Sequence, residues 1–167
     1  MPAGRPTHSP PPVSLKCSGR TSAAMTSDPY NLGRFLAAQE PLFAQACAEL
    51  AAGHKKSHWM WFIFPQLQGL GSSPMAQRYA IGSLEEARAY LAHPLLGERL
   101  RSCTRLVNRL EGRSAQAIFG YPDYLKFRSS MTLFAQAATG HEPFAETLAK
   151  YFGGEGDPLT RQLLSLD

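Results

Sequence analysis

The polar residues in the segment YPDYLKFRSSMTLF, residues 121–134, have the side chains that phosphate recognition and proton transfer require. On a helix, Asp123, Lys126 and Ser130 share one face because they follow at steps of three and four residues. Ser129 lies three residues after Lys126. An ammonium group with two hydroxyls suits a phosphate, and a carboxylate suits a general base or a ribose hydroxyl acceptor. The alternative is a solvated helix face with one Asp–Lys pair.

The segment SHWMWFIFPQLQGLG, residues 57–71, is the second notable stretch. Its apolar run Trp59–Phe64 has no polar face. As a strand it would need a partner on each side, and as a helix it must be surrounded by protein. We expect a short helix that Ser57 caps and Pro65 ends. Most of its aromatic side chains are then core residues.

The edges of this apolar run are the part that suits a ligand. His58 and Gln66 provide donors and acceptors, and Trp59 provides an aromatic surface for stacking. Gly69 and Gly71 allow the backbone to approach another group closely, and their arrangement before a helix start resembles an anion cradle. The alternative is that the two glycines serve only the turn.

Other kinds of chemistry find little support in the sequence. The histidines have no cysteine partners near them in the sequence, so we expect no metal site. No phosphate-binding loop, dinucleotide fingerprint or nucleophile elbow is present, and we expect no cofactor. The three cysteines Cys17, Cys47 and Cys103 are far apart and form no CxxC pair. They predict free thiols in a reducing compartment and hence a cytoplasmic protein, with Cys47 and Cys103 as small core residues.

Helices are the elements that must position these residues. No segment alternates apolar and polar residues between turn signals, as a strand would. Helix starts are indicated at Ser73, Ser83, Ser114 and Asp157, each of which is a good N-cap. Pro41 divides or kinks the first helical stretch. We therefore predict an all-α fold, a compact single-domain bundle of seven to nine short helices.

Composition divides the chain into two regions. Residues 1–24 contain five prolines and few large apolar side chains, which predicts a disordered tail, and residues 25–167 form the predicted domain. The tail carries Arg5, Lys16 and Arg20 without an acid, whereas the rest has 14 Lys and Arg against 13 Asp and Glu. A nearly neutral domain gives no reason to expect nucleic-acid binding. No apolar run approaches the roughly 20 residues of a membrane span.

Four segments, RFLAAQ, KSHWMWFIFPQLQGLG, YLAHPLLGERL and IFGYPDYLKFRSSMTLF, resemble the bacterial DUF1810 family over about Tyr30 to Leu164. The resemblance implies a small all-α domain and no established activity. We expect several of the family's recurrent polar positions to meet in one cleft beside Trp59 and Trp61. In this chain those positions are Arg34, Gln39, Lys55, His58, Gln66, Asp123, Lys126, Ser129 and Ser130.

These observations lead to two functional hypotheses. The first is a protein that binds a nucleotide-like or phosphorylated small molecule. If it is an enzyme, it hydrolyses that molecule. An analogy with the NADAR proteins, which are small, helical and act on ADP-ribose-type linkages, favours such a ligand. In such an enzyme, Asp123 would be the general base and His58 would donate a proton. Lys126 and Arg34 would hold the phosphate. The bond broken would be a glycosidic or a phosphoester bond. The alternative is a non-enzymatic protein-interaction or regulatory module, whose partner the sequence does not identify.

Overall fold

The structure, a computed structural model, describes residues 27–165. The described residues contain helices and no strand, which confirms the all-α prediction. There are ten helices in this range where seven to nine were expected, and Pro41 explains part of the difference because it lies between two separate helices. The helices are α1 (Gly33–Gln39), α2 (Phe43–Ala52), α3 (Met60–Ile63), α4 (Pro74–Arg78), α5 (Leu84–Ala92), α6 (Leu96–Arg109), α7 (Ala115–Phe119), α8 (Asp123–Ala137), α9 (Phe144–Phe152) and α10 (Pro158–Leu163).

The chain divides after Gly33 into two units. In the first, residues 27–33, the Asp28 carboxylate accepts hydrogen bonds from the amides of Leu32 (2.7 Å) and Gly33 (2.9 Å). This turn satisfies amides at the beginning of α1, which have no partner within the helix. The predicted tail, residues 1–24, lies outside the described residues, as does the predicted domain start at residue 25.

Four predicted helix starts are confirmed in the second unit. Ser73, Ser83, Ser114 and Asp157 each precede a helix, and each side chain accepts a hydrogen bond from the amide three residues later. Such caps satisfy amide groups that the first helical turn leaves free. Sequence-local chemistry therefore determines where α4, α5, α7 and α10 begin.

Helix α8 is the central element of the second unit. It packs against α5 and α9, and also against α3, α7 and α10. Phe127, Met131 and Phe134 on this helix are fully buried. The Phe127 ring stacks on Phe119 at 4.4 Å between centroids and meets Phe64 edge-on at 4.9 Å. The apolar run Trp59–Phe64 thus contributes to the core, as expected.

The helix in that run is shorter than predicted. It covers one turn, α3, and Trp59 precedes it without any side-chain cap. Ser57 does not cap it because Ser57 lies two residues before the N-cap position, and its hydroxyl donates to the Glu49 carboxylate at 2.6 Å. After α3 the chain forms one isolated parallel bridge between Leu67 and Ile81. None of the helices in the described range is long and apolar enough to cross a membrane.

Candidate functional site

Glu49, at the end of α2, organises the loop that leads to the candidate site. Its Oε1 accepts hydrogen bonds from the amides of Lys56 (2.8 Å) and Ser57 (3.0 Å) and from the indole Nε1 of Trp59 (2.9 Å). Its Oε2 accepts from the Ser57 hydroxyl and from Gln45 (3.1 Å). Burial alone would raise the pKa of Glu49, but these hydrogen bonds together hold it at about 2. The carboxylate is therefore charged at neutral pH.

Lys55 lies in this loop and is almost completely enclosed. Its ammonium group donates to the carbonyl oxygen of Ser57 at 2.6 Å and lies 2.8 Å from Asp123 Oδ2. It also lies 5.0 Å from the ring centre of Trp59. Only 6% of the Lys55 side chain is exposed. Lys55 therefore connects the loop to α8, and its donors already have partners.

Asp123 begins α8 and lies between two lysines. Its other oxygen, Oδ1, is 3.5 Å from the ammonium group of Lys126. That ammonium also lies 5.2 Å from the ring centre of Trp61, which is half-buried. The side chains of Asp123 and Lys126 are 21% and 26% exposed. We call Lys55, Asp123 and Lys126 the lysine cluster; with both lysines protonated and Asp123 ionised, its formal charge is +1.

The two residues between Lys55 and α3 that were expected to bind a ligand have opposite environments. His58 is exposed to solvent. Trp59 is fully buried, with its indole N–H on Glu49, so it offers no face for stacking. The half-buried Trp61, two residues later, is the tryptophan that contacts Lys126. The Glu49 carboxylate holds the indole of Trp59 inside the protein. Trp61, after the chain turn before α3, remains partly exposed.

Gln66, Gly69 and Gly71 line a separate cavity of about 270 Å³. Asp123 and the two cluster lysines are not among its lining residues. Gly69 has a φ of 102°, which favours glycine, and a Cβ on Gly71 would lie 2.6 Å from the Cβ of Ala76. Backbone conformation accounts for Gly69, and packing against Ala76 accounts for Gly71. The remaining residues of this cavity are Leu67, Gln68, Ala76, Gln77 and Ala80.

Arg34 lies outside the lysine cluster and holds helices together. Its guanidinium donates to the carbonyl oxygens of Arg78 (2.8 Å) and Ala80 (2.7 Å) and pairs with Glu86 at 3.0 Å. Because these contacts connect α1 to the region between α4 and α5, Arg34 has a structural role.

Gln39 also has a structural role, since it is buried and bridges three groups. Its Nε2 donates to the carbonyl of Phe62 (2.7 Å) and to the hydroxyl of Tyr90 (2.9 Å). Its Oε1 accepts from Arg99 at 3.3 Å. The expected single cleft is thus divided, because these polar positions serve separate places in the second unit.

The two serines on α8 differ from each other. Both are buried, and the Ser129 hydroxyl donates to the carbonyl of Leu125 at 3.1 Å, as serines in helices often do. The Ser130 hydroxyl has no hydrogen-bond partner. Neither hydroxyl is open to solvent as a phosphate ligand would need to be. They are α8 residues inside the protein rather than part of the lysine cluster.

Sequence reasoning missed the importance of Glu49, and it expected an accessible ring at Trp59, which is buried, whereas Trp61 is half-buried. The sequence pointed to Glu49 only weakly, as a single acidic residue next to the apolar stripe of α2, one turn before Gly53. Within residues 27–165, no group of three or more His, Cys, Asp or Glu side chains is arranged to hold a metal ion.

Comparisons with known proteins add an evolutionary relationship to this geometry. Residues 29–164 match the model of the family described as protein of unknown function DUF1810. The chain is 57% identical to the conserved hypothetical protein Rv1873 from Mycobacterium tuberculosis, whose crystal structure is known. The match has a TM-score of 0.82 and covers 84% of this chain and 100% of that one. No curated protein matches the chain.

Proposed function

This chain belongs to the DUF1810 family, and we propose that it binds a phosphate-bearing, nucleotide-like small molecule at the lysine cluster. The observation that carries the proposal is the position of Lys126. Its ammonium group lies between Asp123 Oδ1 and the ring of Trp61, and its side chain is in contact with solvent. A cation beside an aromatic ring is a combination that recognises an anionic group attached to a planar one.

Charge within the cluster supports an anionic ligand. Asp123 neutralises one of its two lysines, and the shorter contact is with the enclosed Lys55. Lys126, at the longer distance of 3.5 Å, is the cation available to a phosphate. A phosphate oxygen would accept a charge-assisted hydrogen bond from it, which is a strong type of contact in proteins.

Aromatic side chains near Asp123 support the nucleotide-like part of the proposal. Tyr121, two residues before Asp123, is 74% exposed, and its ring lies 6.3 Å from that of Tyr124. Base stacking on an exposed aromatic ring contributes about 1–3 kcal/mol. By analogy with proteins that act on ADP-ribose, we propose ADP-ribose as the first ligand to test.

Hydrolysis of a glycosidic or phosphoester bond is the catalytic extension of this proposal. Asp123 would act as the general base and the exposed His58 as the proton donor. Both carboxylate oxygens of Asp123 face ammonium groups, so the geometry supports binding better than proton abstraction. If the chain is a hydrolase, Asp123→Asn removes turnover in protein that circular dichroism shows to be folded, since a general base contributes about 10²–10⁴-fold.

Ligand-induced thermal stabilisation tests the binding proposal. Wild type, Lys126→Ala and the control Lys56→Ala are heated with ADP-ribose, AMP or inorganic phosphate. Lys56 is an exposed lysine beside the cluster, so its removal changes net charge equally. At 100 times the dissociation constant, ligand should raise the melting temperature by about 5–10 °C. We expect wild type and Lys56→Ala to respond and Lys126→Ala not to. Equal responses in all three variants would refute the assignment.

A second candidate function is a non-enzymatic protein-interaction module. The observation that favours it is the exposure of Tyr121 together with that of Leu125, which is 36% exposed. Exposed aromatic and aliphatic side chains occur at protein-binding surfaces. The same heating experiment discriminates the two functions, because an interaction module responds to none of the three compounds. The free thiols Cys47 and Cys103 suit a reducing compartment, and we propose the cytoplasm.

A further inference from the structure

Helices α2 and α6 pack against each other and bring two cysteines together. The guanidinium carbon of Arg99, on α6, lies 4.8 Å from the ring centre of Phe43, on α2. Cys47 and Cys103 follow these residues by one helical turn on α2 and α6. Gly53, which ends α2, lies beside Leu110, which ends α6: a Cβ on Gly53 would be 3.5 Å from Leu110 Cδ2. The two helices therefore run in the same direction, and cysteines 56 positions apart in the sequence lie level with each other on adjacent helices.

Exposure differs between the two thiols. Cys47 is partly exposed, whereas Cys103 is fully buried. A small oxidant in water therefore has access to Cys47 and not to Cys103. One accessible cysteine beside a second, protected cysteine is the arrangement of an attacking and a resolving cysteine.

We propose that Cys47 and Cys103 form a peroxide-reactive dithiol that closes to a disulfide between α2 and α6. This modification site is independent of the lysine cluster, which contains neither cysteine. A disulfide joins sulfurs about 2.05 Å apart on residues of adjacent elements, which suits two cysteines that lie level on packed helices. The bond would connect two helices of the second unit.

The oxidation proceeds in two balanced steps. In the first, the Cys47 thiolate attacks one oxygen of hydrogen peroxide; the O–O bond breaks, hydroxide leaves, and Cys47 becomes a sulfenic acid. In the second, the sulfur of Cys103 attacks the Cys47 sulfur; the S–O bond breaks, and the Cys103 proton leaves with the hydroxyl as water. Overall, two thiols are oxidised to a disulfide and one peroxide is reduced to water.

The surroundings of Cys47 favour the first step. The hydrogen bond from Cys103 lowers the pKa of Cys47 to about 7; burial opposes this effect, and the positive charge of Arg99 reinforces it. The lowered pKa increases the share of Cys47 that is thiolate, and the thiolate is the reactive form. The hydrogen bond to Cys47 and burial raise the pKa of Cys103, which keeps its proton until the second step.

Peptide mapping of the full chain after treatment with hydrogen peroxide tests the proposal. Trypsin cleaves after Arg34, Lys55, Arg101 and Arg105, so Cys47 lies in peptide 35–55 and Cys103 in peptide 102–105. Without reductant, we expect these two peptides to appear joined, about 2 Da lighter than their sum. The rate of joining should rise with pH and level off above about 7. Linkage of either peptide to peptide 17–20, which contains Cys17, would overturn the pairing.

Two variants separate the roles of the cysteines. In Cys103→Ser, Cys47 should stop at the sulfenic acid, which a dimedone-type reagent traps. In Cys47→Ser, Cys103 should remain unoxidised under the same conditions. Wild-type protein that accumulates sulfinic acid at Cys47 without any disulfide would refute the proposal, and this result does not depend on the folding of either variant.

Discussion

Glu49→Gln is the substitution that most sharply tests how the loop before α3 is held. The carboxylate accepts five hydrogen bonds, including two main-chain amides and the indole of Trp59. A glutamine has the same shape but lacks the charge, and its amide nitrogen would face a group that donates. We therefore expect the loop that carries Lys55 to lose much of its fixed geometry.

The magnitude follows from the pKa of Glu49. Burial opposes the charged form, but the hydrogen bonds outweigh it and lower the pKa from 4.5 to about 2. At about 1.4 kcal/mol per tenfold change in the ionisation constant, the folded state gains about 3 kcal/mol from the charged carboxylate. Glu49→Gln should lower the melting temperature at pH 7 by about 6–12 °C.

The pH dependence provides an independent check. Because the folded pKa is lowered, the contribution of Glu49 is fully present above its unfolded pKa of about 4.5. It is lost as the pH falls from there toward 2. The difference in free energy of unfolding between wild type and Glu49→Gln should therefore be constant from pH 6 to 8 and shrink below about 4.5.

Urea unfolding followed by far-ultraviolet circular dichroism measures these differences at several pH values. Glu111→Gln is the control, since Glu111 is exposed and only forms a surface ion pair with Lys150 at 3.6 Å. Its substitution should change the free energy of unfolding by less than about 1 kcal/mol. A Glu49→Gln protein as stable as this control at pH 7 would contradict the reasoning.

Three further predictions concern polar side chains within the second unit. Gln39→Leu should lower the free energy of unfolding by about 2–4 kcal/mol in urea titrations, because a carbonyl and a tyrosine hydroxyl lose their partner inside the core. Ser130→Ala should raise it by up to about 1 kcal/mol, because an unpaired buried hydroxyl is removed, whereas Ser129→Ala should give no such gain. Arg34→Lys should lower the melting temperature measurably, because an ammonium group cannot reach two carbonyls and Glu86 together; an unchanged melting temperature would rule this out.

The sequence predicted the helical class and many helix boundaries because these depend on local chemistry. Ser83 and Ser114 satisfy amides of the next turn, and this is visible in a short stretch of sequence. Pro41 separates α1 from α2 for an equally local reason. The start of α3 was not predicted correctly because α3 begins two residues later than a cap at Ser57 requires, and the Ser57 hydroxyl donates to Glu49, eight residues earlier.

The candidate site was predicted only in part, because side-chain partners depend on packing between distant segments. The steps from Asp123 to Lys126 were visible on one helix, and the pair is present. The contact of Lys55 with Asp123 joins residues 68 positions apart, and no periodicity predicts it. The burial of Trp59 and the partial exposure of Trp61 likewise follow from the position of Glu49, which the sequence did not mark as special.

Indole nuclear magnetic resonance tests the proposed ligand site most directly. The chain has two tryptophans and hence two indole N–H signals, and Trp61→Phe identifies which signal belongs to Trp61. Titration of ¹⁵N-labelled protein with ADP-ribose should shift the Trp61 signal in a saturable way. The Trp59 signal should stay in place, because its N–H is buried on Glu49. A titration in which the Trp61 signal does not move would contradict binding at the lysine cluster.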